Sequence, residues 1–403
     1  MTPIPKPRLS STRVSSTRLS STIWALGLTS LLMDVSSELV HSLLPVYMTA
    51  VLGASMLAVG IVEGIAEATA SIVKLFSGAI SDRIGRRKPL VVLGYALAAA
   101  SKPLFPLAGS VPLVLGARFL DRIGKGIRGA PRDALIADVT PAEQRGAAYG
   151  LRQAMDTVGA VLGPLAAIGL MFLFLDDIRL VLWLAVIPAV LAVLVLVFFV
   201  AEPANVPRAS AKNPVSFSAM RNLGKQYWRI VALGAVLTLA RFSEAFLILR
   251  AQDLGMAIAL VPAVLIVMNV AYTSIAYPAG VAADRGFRKT LLVCGIGALV
   301  AADLLIGATR SMPMLFAGIV LWGAHLGLTQ GLLSTLVAQA APAHLRGTAF
   351  GTFHLVSGVA LLAASVLAGW LWSALGASAT FYAGAAFAGV ALAGLLLMTW
   401  KSH

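Results

Sequence analysis

The chain has 403 residues, 59% of them hydrophobic and only 12% charged, with a mean hydropathy of +0.89. Soluble domains carry about 25% charged residues, so this chain lacks the polar surface of one. Its net charge of +14 does not indicate nucleic acid, because the bases fall in alternate short loops, and a single cysteine, Cys294, excludes an internal disulfide or a thiolate metal centre.

Residues 1–21 are rich in Ser, Thr and Pro, carry Lys6, Arg8, Arg13 and Arg18 and no acid, and read as a disordered basic cytoplasmic tail. The apolar run that follows, 23–49, is too long for a signal peptide and lacks a clear cleavage site. Twelve spans of about the length that crosses a bilayer fit the hydrophobic pattern: 22–49, 56–81, 89–108, 111–138, 145–174, 179–200, 229–251, 257–282, 289–308, 312–339, 346–372 and 377–399. A polar segment, 201–228, holds Arg208, Lys212, Arg221 and Lys225 and reads as a cytoplasmic linker between an N-terminal bundle, 22–200, and a C-terminal one, 229–400. With this topology nineteen bases lie on the side of the termini and three, Arg179, Arg250 and Arg310, on the other. The positive-inside rule then puts both termini in the cytoplasm of a multi-pass inner (cell) membrane protein.

The two halves repeat each other. Gly78 to Leu90 reads GAISDRIGRRKPL, and Gly280 to Lys289 reads GVAADRGFRK. In each, a glycine precedes an aspartate by four, an arginine follows, and a basic cluster closes the loop. Pro141-x-x-x-Arg145-Gly146 before the fifth span recurs as Pro342-x-x-x-Arg346-Gly347 before the eleventh, an offset of 201 against 202 for Asp82 and Asp284. Ser37-Glu38 in the first span matches Ser243-Glu244 in the seventh. The expected fold is all-α: twelve transmembrane helices in two pseudo-symmetric six-helix bundles that rock about a central site.

Three stretches carry a resemblance to a known family. Gly78 to Leu90 resembles the signature loop of the major facilitator superfamily, Arg118-Phe-Leu-Asp121-Arg-Ile-Gly124-Lys-Gly126 its fourth-helix motif, and Gly159-Ala-Val-Leu-Gly163-Pro164 its antiporter-associated fifth-helix motif. The chain departs from the fourth-helix motif at Asp121 and Arg122, where glutamine and glycine are usual. Ala166 and Ala167 stand where the fifth-helix motif ends in paired glycines. The resemblance covers nearly all of the chain after residue 21 and implies a secondary transporter, with export implied by the third motif. Gly78, Asp82, Arg83, Gly85, Arg86 and Arg145, with Asp284 and Arg285 in the second copy, are then the gating loops.

Charges inside a membrane are costly and face each other or a polar cavity. At 100° per residue Arg118, Asp121, Arg122, Lys125, Arg128, Arg132 and Asp133 fall within an arc of roughly 140°, a charged face ~21 Å long. Asp34, Glu38 and His41 line one face of the first span, Glu63, Glu67 and Lys74 one face of the second, and Arg152 and Asp156 are i, i+4 neighbours in the fifth. Asp34, Glu38 and Asp121 are the proton-coupling candidates, since a carboxylate caught between burial and a nearby cation changes protonation as helices move. Arg118, Arg122, Arg128, Arg152, Glu67, His325 and Gln330 are the candidates for substrate contact, with the arginines offering forked donors to an anionic group. The bland alternative, internal pairing that holds the half together, stands beside each.

Gly124-Lys-Gly126-Ile-Arg-Gly129 spells GxGxxG but lies in a membrane span, where small residues serve close packing rather than a nucleotide. No Walker A, HExxH or GxSxG motif occurs. The expectation is a monomeric transporter rather than an enzyme, with a small-molecule substrate, protons and lipid as its partners and no cofactor, metal or nucleic acid. It would export a small organic solute against protons. The alternatives are uptake of an anionic metabolite and, from another class, a membrane-embedded enzyme or receptor.

Overall fold

The structure, a computed structural model, describes residues 19–202, 220, 223–342 and 345–397. The tail up to residue 18, the linker positions Arg208, Lys212 and Arg221, and Lys401 lie outside the described residues. Twelve helical spans follow in order. These are α1 (Ser21–Val51), α2 (Met56–Ile84), α3 (Lys88–Leu107), α4 (Val111–Asp138), α5 (Arg145–Leu173), α6 (Ile178–Phe199), α7 (Lys225–Asp253), α8 (Ile258–Asp284), α9 (Arg288–Ala308), α10 (Met312–Ala340), α11 (Arg346–Leu375) and α12 (Ala377–Leu397). Among the described residues eleven of these are long and apolar enough to cross a bilayer. The remaining one, α4, has the length and not the composition: eight of its 28 residues are ionisable.

Helix ends follow local chemistry. Ser55 caps α2 by accepting from the Ala58 N–H at 3.2 Å. Gly85 ends α2 in the left-handed region, φ 67°, and the corresponding Gly286 follows α8 at φ 97°. A residue with a Cβ is strained there, which explains the glycine within each basic loop. Pro103 interrupts α3 after Ser101, because it supplies no N–H to continue the hydrogen-bond ladder.

Packing repeats as the sequence does. In the first half α1 lies on α5 and α6, and α4 on α2 and α3; in the second, α7 lies on α11 and α12, and α10 on α8 and α9. The correspondence reaches single contacts. An added Cβ on Gly94 would lie 2.7 Å from the Cβ of Arg128; one on Gly295, 201 residues later, would lie 2.5 Å from Cγ2 of Thr329, the counterpart of Arg128. Gly124 and Gly126 serve the same close packing, at 2.6 Å from the Gly94 carbonyl and 2.6 Å from the Val73 Cβ. Their GxGxxG spelling is thus helix–helix contact.

The halves meet through α2 against α11 and α5 against α8. At one end Thr49 donates to Gln252 at 3.5 Å, the Leu57 N–H donates to Ser373 at 3.3 Å, and Gly369 packs on the Met56 carbonyl. The outer surface is apolar: Phe172, Phe198, Phe199, Tyr277 and Leu397 are exposed, as lipid-facing side chains are.

Candidate functional site

Two local features shape the centre of the molecule. The first is in α7, which unwinds between helical segments Lys225–Ala240 and Ala245–Asp253. Nothing in Arg241-Phe-Ser-Glu244 forbids a helix. The segment is held open by partners instead. The Ser243 N–H donates to Ser365 Oγ at 3.3 Å, and Ser243 Oγ accepts from the Ala245 N–H at 3.3 Å while donating across the interface to Glu63 at 3.4 Å. The second is the glycine face of α5. A Cβ on Gly159 would lie 2.9 Å from the Asp34 Cβ, and one on Gly163 2.8 Å from the Glu38 Cβ, so α1 is drawn onto α5 at both acids. Pro164 lies inside the same helix.

Between the halves lies a cavity of about 540 Å³. Asp34, Glu38 and His41 of α1, Glu67 of α2, Arg122 and Lys125 of α4, and Gln153 and Asp156 of α5 form its N-terminal wall. Thr238, Arg241, Phe242 and Glu244 of α7, Asn269, Tyr272 and Thr273 of α8, and Trp322, Leu326 and Gln330 of α10 form the other. Five carboxylates therefore face three bases and one histidine. Glu67 pairs with Arg122 at 3.2 Å, Asp156 with Arg152 at 2.8 Å, and Glu38 lies 3.5 Å from His41. Asp34 and Glu244 have no ion pair among the described residues, and neither do Lys125 and Arg241; the Arg241 Nη1 is buried without a hydrogen-bond partner.

Behind the N-terminal wall the charged face of α4 is mostly consumed internally. Arg118 grips Glu63 with both donors, Nη2 at 2.8 Å and Nε at 3.2 Å, and both side chains are buried. Lys102 holds Asp121 at 2.8 Å and Ser37 at 3.0 Å. Arg128 lies 4.6 Å from the Tyr95 ring centre. Arg132 donates to Ser30 at 2.9 Å and Tyr95 at 3.3 Å. His41 connects the two layers: its Nε2 is 3.8 Å from Glu63 and its Nδ1 faces Glu38.

The structure thus separates the residues singled out above. Asp34, Glu38, Glu67, Arg122 and Gln330 meet in the cavity. Asp121, Arg118, Arg128 and Arg152 lie outside its lining, in pairs or against Tyr95, because a buried cation in a dry helix interface is stabilised by the nearest acid or ring before any solute. His325 is also outside it: it is fully buried, and its Nδ1 lies 2.8 Å from the Gly295 carbonyl. Arg241 and Glu244 were legible only as charges within a span, since their place in the cavity depends on the unwound segment.

In the basic loop Arg87 ties α2 to α4. It reaches Asp82 at 2.5 Å, Ser81 at 2.8 Å and Asp138 at the end of α4 at 3.3 Å. Burial by itself disfavours its charge, but the bonds from Asp82 and Asp138 outweigh this and hold its pKa above the ordinary arginine value. Gly78 sits against α4, its added Cβ 3.3 Å from the Ala130 Cβ. Arg86 and Arg145 are exposed on this side, as are Asp284 and Arg285 in the second copy.

Comparison with known proteins agrees with this architecture. The sequence profile described as Major Facilitator Superfamily matches residues 26–249 and 230–402. The chain is 34% identical to the "Uncharacterized MFS-type transporter MJ1317" of Methanocaldococcus jannaschii, over 93% of this chain and 94% of that protein. It is 25% identical to "Multidrug resistance protein MdtH" of Salmonella typhi, over 80% and 79%. The crystal structure of the nucleoside transporter NupG superposes with a TM-score of 0.73 at 14% identity, covering 94% of this chain and 98% of that one, a likeness of fold.

Proposed function

This chain belongs to the major facilitator superfamily, a family of multi-pass membrane transporters rather than enzymes, and from that membership we propose that it exports a small organic solute in exchange for protons by alternating access. The observation that carries the reading is Asp34. It is a carboxylate in mid-helix, facing the cavity between the halves without an ion pair, and held there by the Gly159 approach of α5. A charge in that position has to be compensated by a proton, a solute or a moving neighbour. Glu38, paired with His41, is the second carboxylate of the exchange. Asp121, locked on Lys102, holds α4 to α3 and takes no part in it.

The solute rests on the C-terminal wall, where Arg241, Asn269, Tyr272 and Gln330 offer donors and Trp322 an apolar face. The halves rock at the α2–α11 and α5–α8 seams, and the Arg87 contacts hold the loop end of the first half as one unit. Export is supported by the glycine motif of α5 and by the likeness to a multidrug resistance protein. Both termini lie in the cytoplasm of the cell membrane, by the distribution of bases, and the working unit is a monomer.

Inside-out vesicles test this. An imposed proton gradient should drive uptake of candidate solutes into them, and Asp34→Asn and Glu38→Gln should abolish the dependence on the gradient. Gradient-independent behaviour in all three proteins would remove the proton from the mechanism. A second reading, passage of an anionic metabolite, is favoured by one observation: Arg241 and Lys125 face the cavity without an ion pair among the described residues. Counterflow with organic acids against organic cations separates the two.

A further inference from the structure

The second half contains a fully buried carboxyl that the proposed exchange does not use. Asp303 of α9 has no exposed surface, and neither of its oxygens has a hydrogen-bond partner among the described residues. It occupies the position of Lys102, 201 residues earlier, whose ammonium is tied to Asp121. The counterpart of Asp121 in α10 is Trp322, so the second half keeps the site and loses the ion pair. The helices packed against α9 are α8, α10 and α12, whose titratable groups are Tyr272, Tyr277 and Asp284, then His325, then Tyr382; from α7, Arg250 donates to the Ile306 and Thr309 carbonyls, and Arg241 and Glu244 flank the unwound segment. None of them bonds to Asp303, and His325 is turned to the Gly295 carbonyl.

The space for this carboxyl is built. A Cβ on Gly384 of α12 would lie 2.6 Å from Asp303 Oδ2 and 3.0 Å from the ring edge of Phe242, so only glycine leaves room for both. Phe242 stands in the unwound segment of α7 and packs on Trp322 and Phe381, each with ring centres 5.4 Å away. Phe242 and Trp322 also line the cavity. The carboxyl therefore lies one aromatic layer behind the cavity wall, beside the unwound segment of α7. An ionised carboxylate there would carry a desolvation cost that no partner offsets.

We propose that Asp303 is a second proton-binding site, in the C-terminal half, loaded in this conformation and opened to the cavity when Phe242 swings with the unwound α7 segment. The proton is held on a carboxyl oxygen behind the ring and passes to cavity water on opening, leaving a carboxylate that water and Arg241 then face. The inference rests on the proton-coupled reading, and it gives α7 a reason to be broken beside the solute: the movement that admits the solute to Arg241 also uncovers the proton.

A hydrophobic carbodiimide, which adds to protonated carboxyls in apolar surroundings, tests the site on the full-length protein in lipid nanodiscs, with mass spectrometry of the labelled peptides. At neutral pH the adduct should form on Asp303 and be absent in Asp303→Asn. Phe242→Ala should label roughly tenfold faster, the change that about 1.4 kcal/mol off the cost of opening gives. In proteoliposomes Asp303→Asn, which keeps the shape of the side chain, should shift the pH profile of transport at unchanged melting temperature. The inference is overturned if other membrane carboxyls label and Asp303 does not, even in Phe242→Ala, or if Asp303→Asn keeps the wild-type pH profile while Asp34→Asn loses coupling. Wild-type gradient dependence in all the acid variants would instead overturn the proton-coupled reading beneath it.

Discussion

A side chain on Gly163 would overlap Glu38: its Cβ would lie 2.8 Å from the Glu38 Cβ and 2.8 Å from the Val35 carbonyl oxygen. The glycine motif of α5 is therefore the device that sets the cavity acids of α1 in place. Gly163→Ala should force the two helices apart at a cost of about 1–3 kcal/mol, the range for overpacking a tight interface. Gly150→Ala, on the same helix with nothing within 4 Å of its added Cβ, should be neutral or slightly stabilising. Thermal unfolding in detergent reads both effects. Equal behaviour of the two variants would show that the contact does not matter.

The Arg118–Glu63 pair has the opposite character, strong in its geometry and silent toward the cavity. Removing one partner strands a buried charge, so Arg118→Met and Glu63→Leu alone should each cost about 3–5 kcal/mol. The double variant should recover most of that stability. Ser243 donates to Glu63 across the interface, so the double variant also loses a link between halves and should transport more slowly than its stability predicts. A double-mutant cycle with no recovery would mean that the pair is not isolated from the rest of the network.

Arg241 couples stability and function with opposite signs. A buried guanidinium nitrogen without a partner costs free energy, so Arg241→Gln should melt no lower than the wild type, and higher if the charge is fully desolvated. If Arg241 holds the solute, the same change should raise KM about tenfold, or about 1.4 kcal/mol. A lower melting temperature with an unchanged KM would make it a structural residue.

Arg87 ties the end of α2 to the end of α4 through its fork, so charge alone does not replace it. Arg87→Lys should lose the Nε bond to Asp138 and cost about 1 kcal/mol, a modest value because Asp82 and Asp138 are partly exposed. The loss should shrink in high salt. Melting curves of the two proteins at low and high ionic strength decide it.

Much of the fold was legible in the chain because it follows from one-dimensional signals. Apolar runs of bilayer length mark the helices, and the repeated Gly-x-x-x-Asp-Arg marks the duplication. The fourth span, 111–138, was placed by the same hydrophobic pattern despite its eight ionisable residues, and the phase of its charges put them on one face. The seventh span was read as one helix, and its break at Arg241–Glu244 was not visible, since no proline or glycine stands there.

By itself the sequence determined that this is a twelve-span, two-fold-repeated membrane protein with charges it must hide. Helical phase places Asp34, Arg118 and Asp121 on inward faces, because lipid offers them no hydrogen bonds. Only the tertiary structure decided which charge meets which. Arg118 and Asp121 could each reach several partners from neighbouring helices; Glu63 and Lys102 were selected by the α4 crossings with α2 and α3 that Gly94, Gly124 and Gly126 permit. The same selection left Asp34, Arg241 and Glu244 facing the cavity, and Asp303 buried, without an ion pair among the described residues. Pairing is a matter of ångströms between segments far apart in the chain, and no local pattern encodes it.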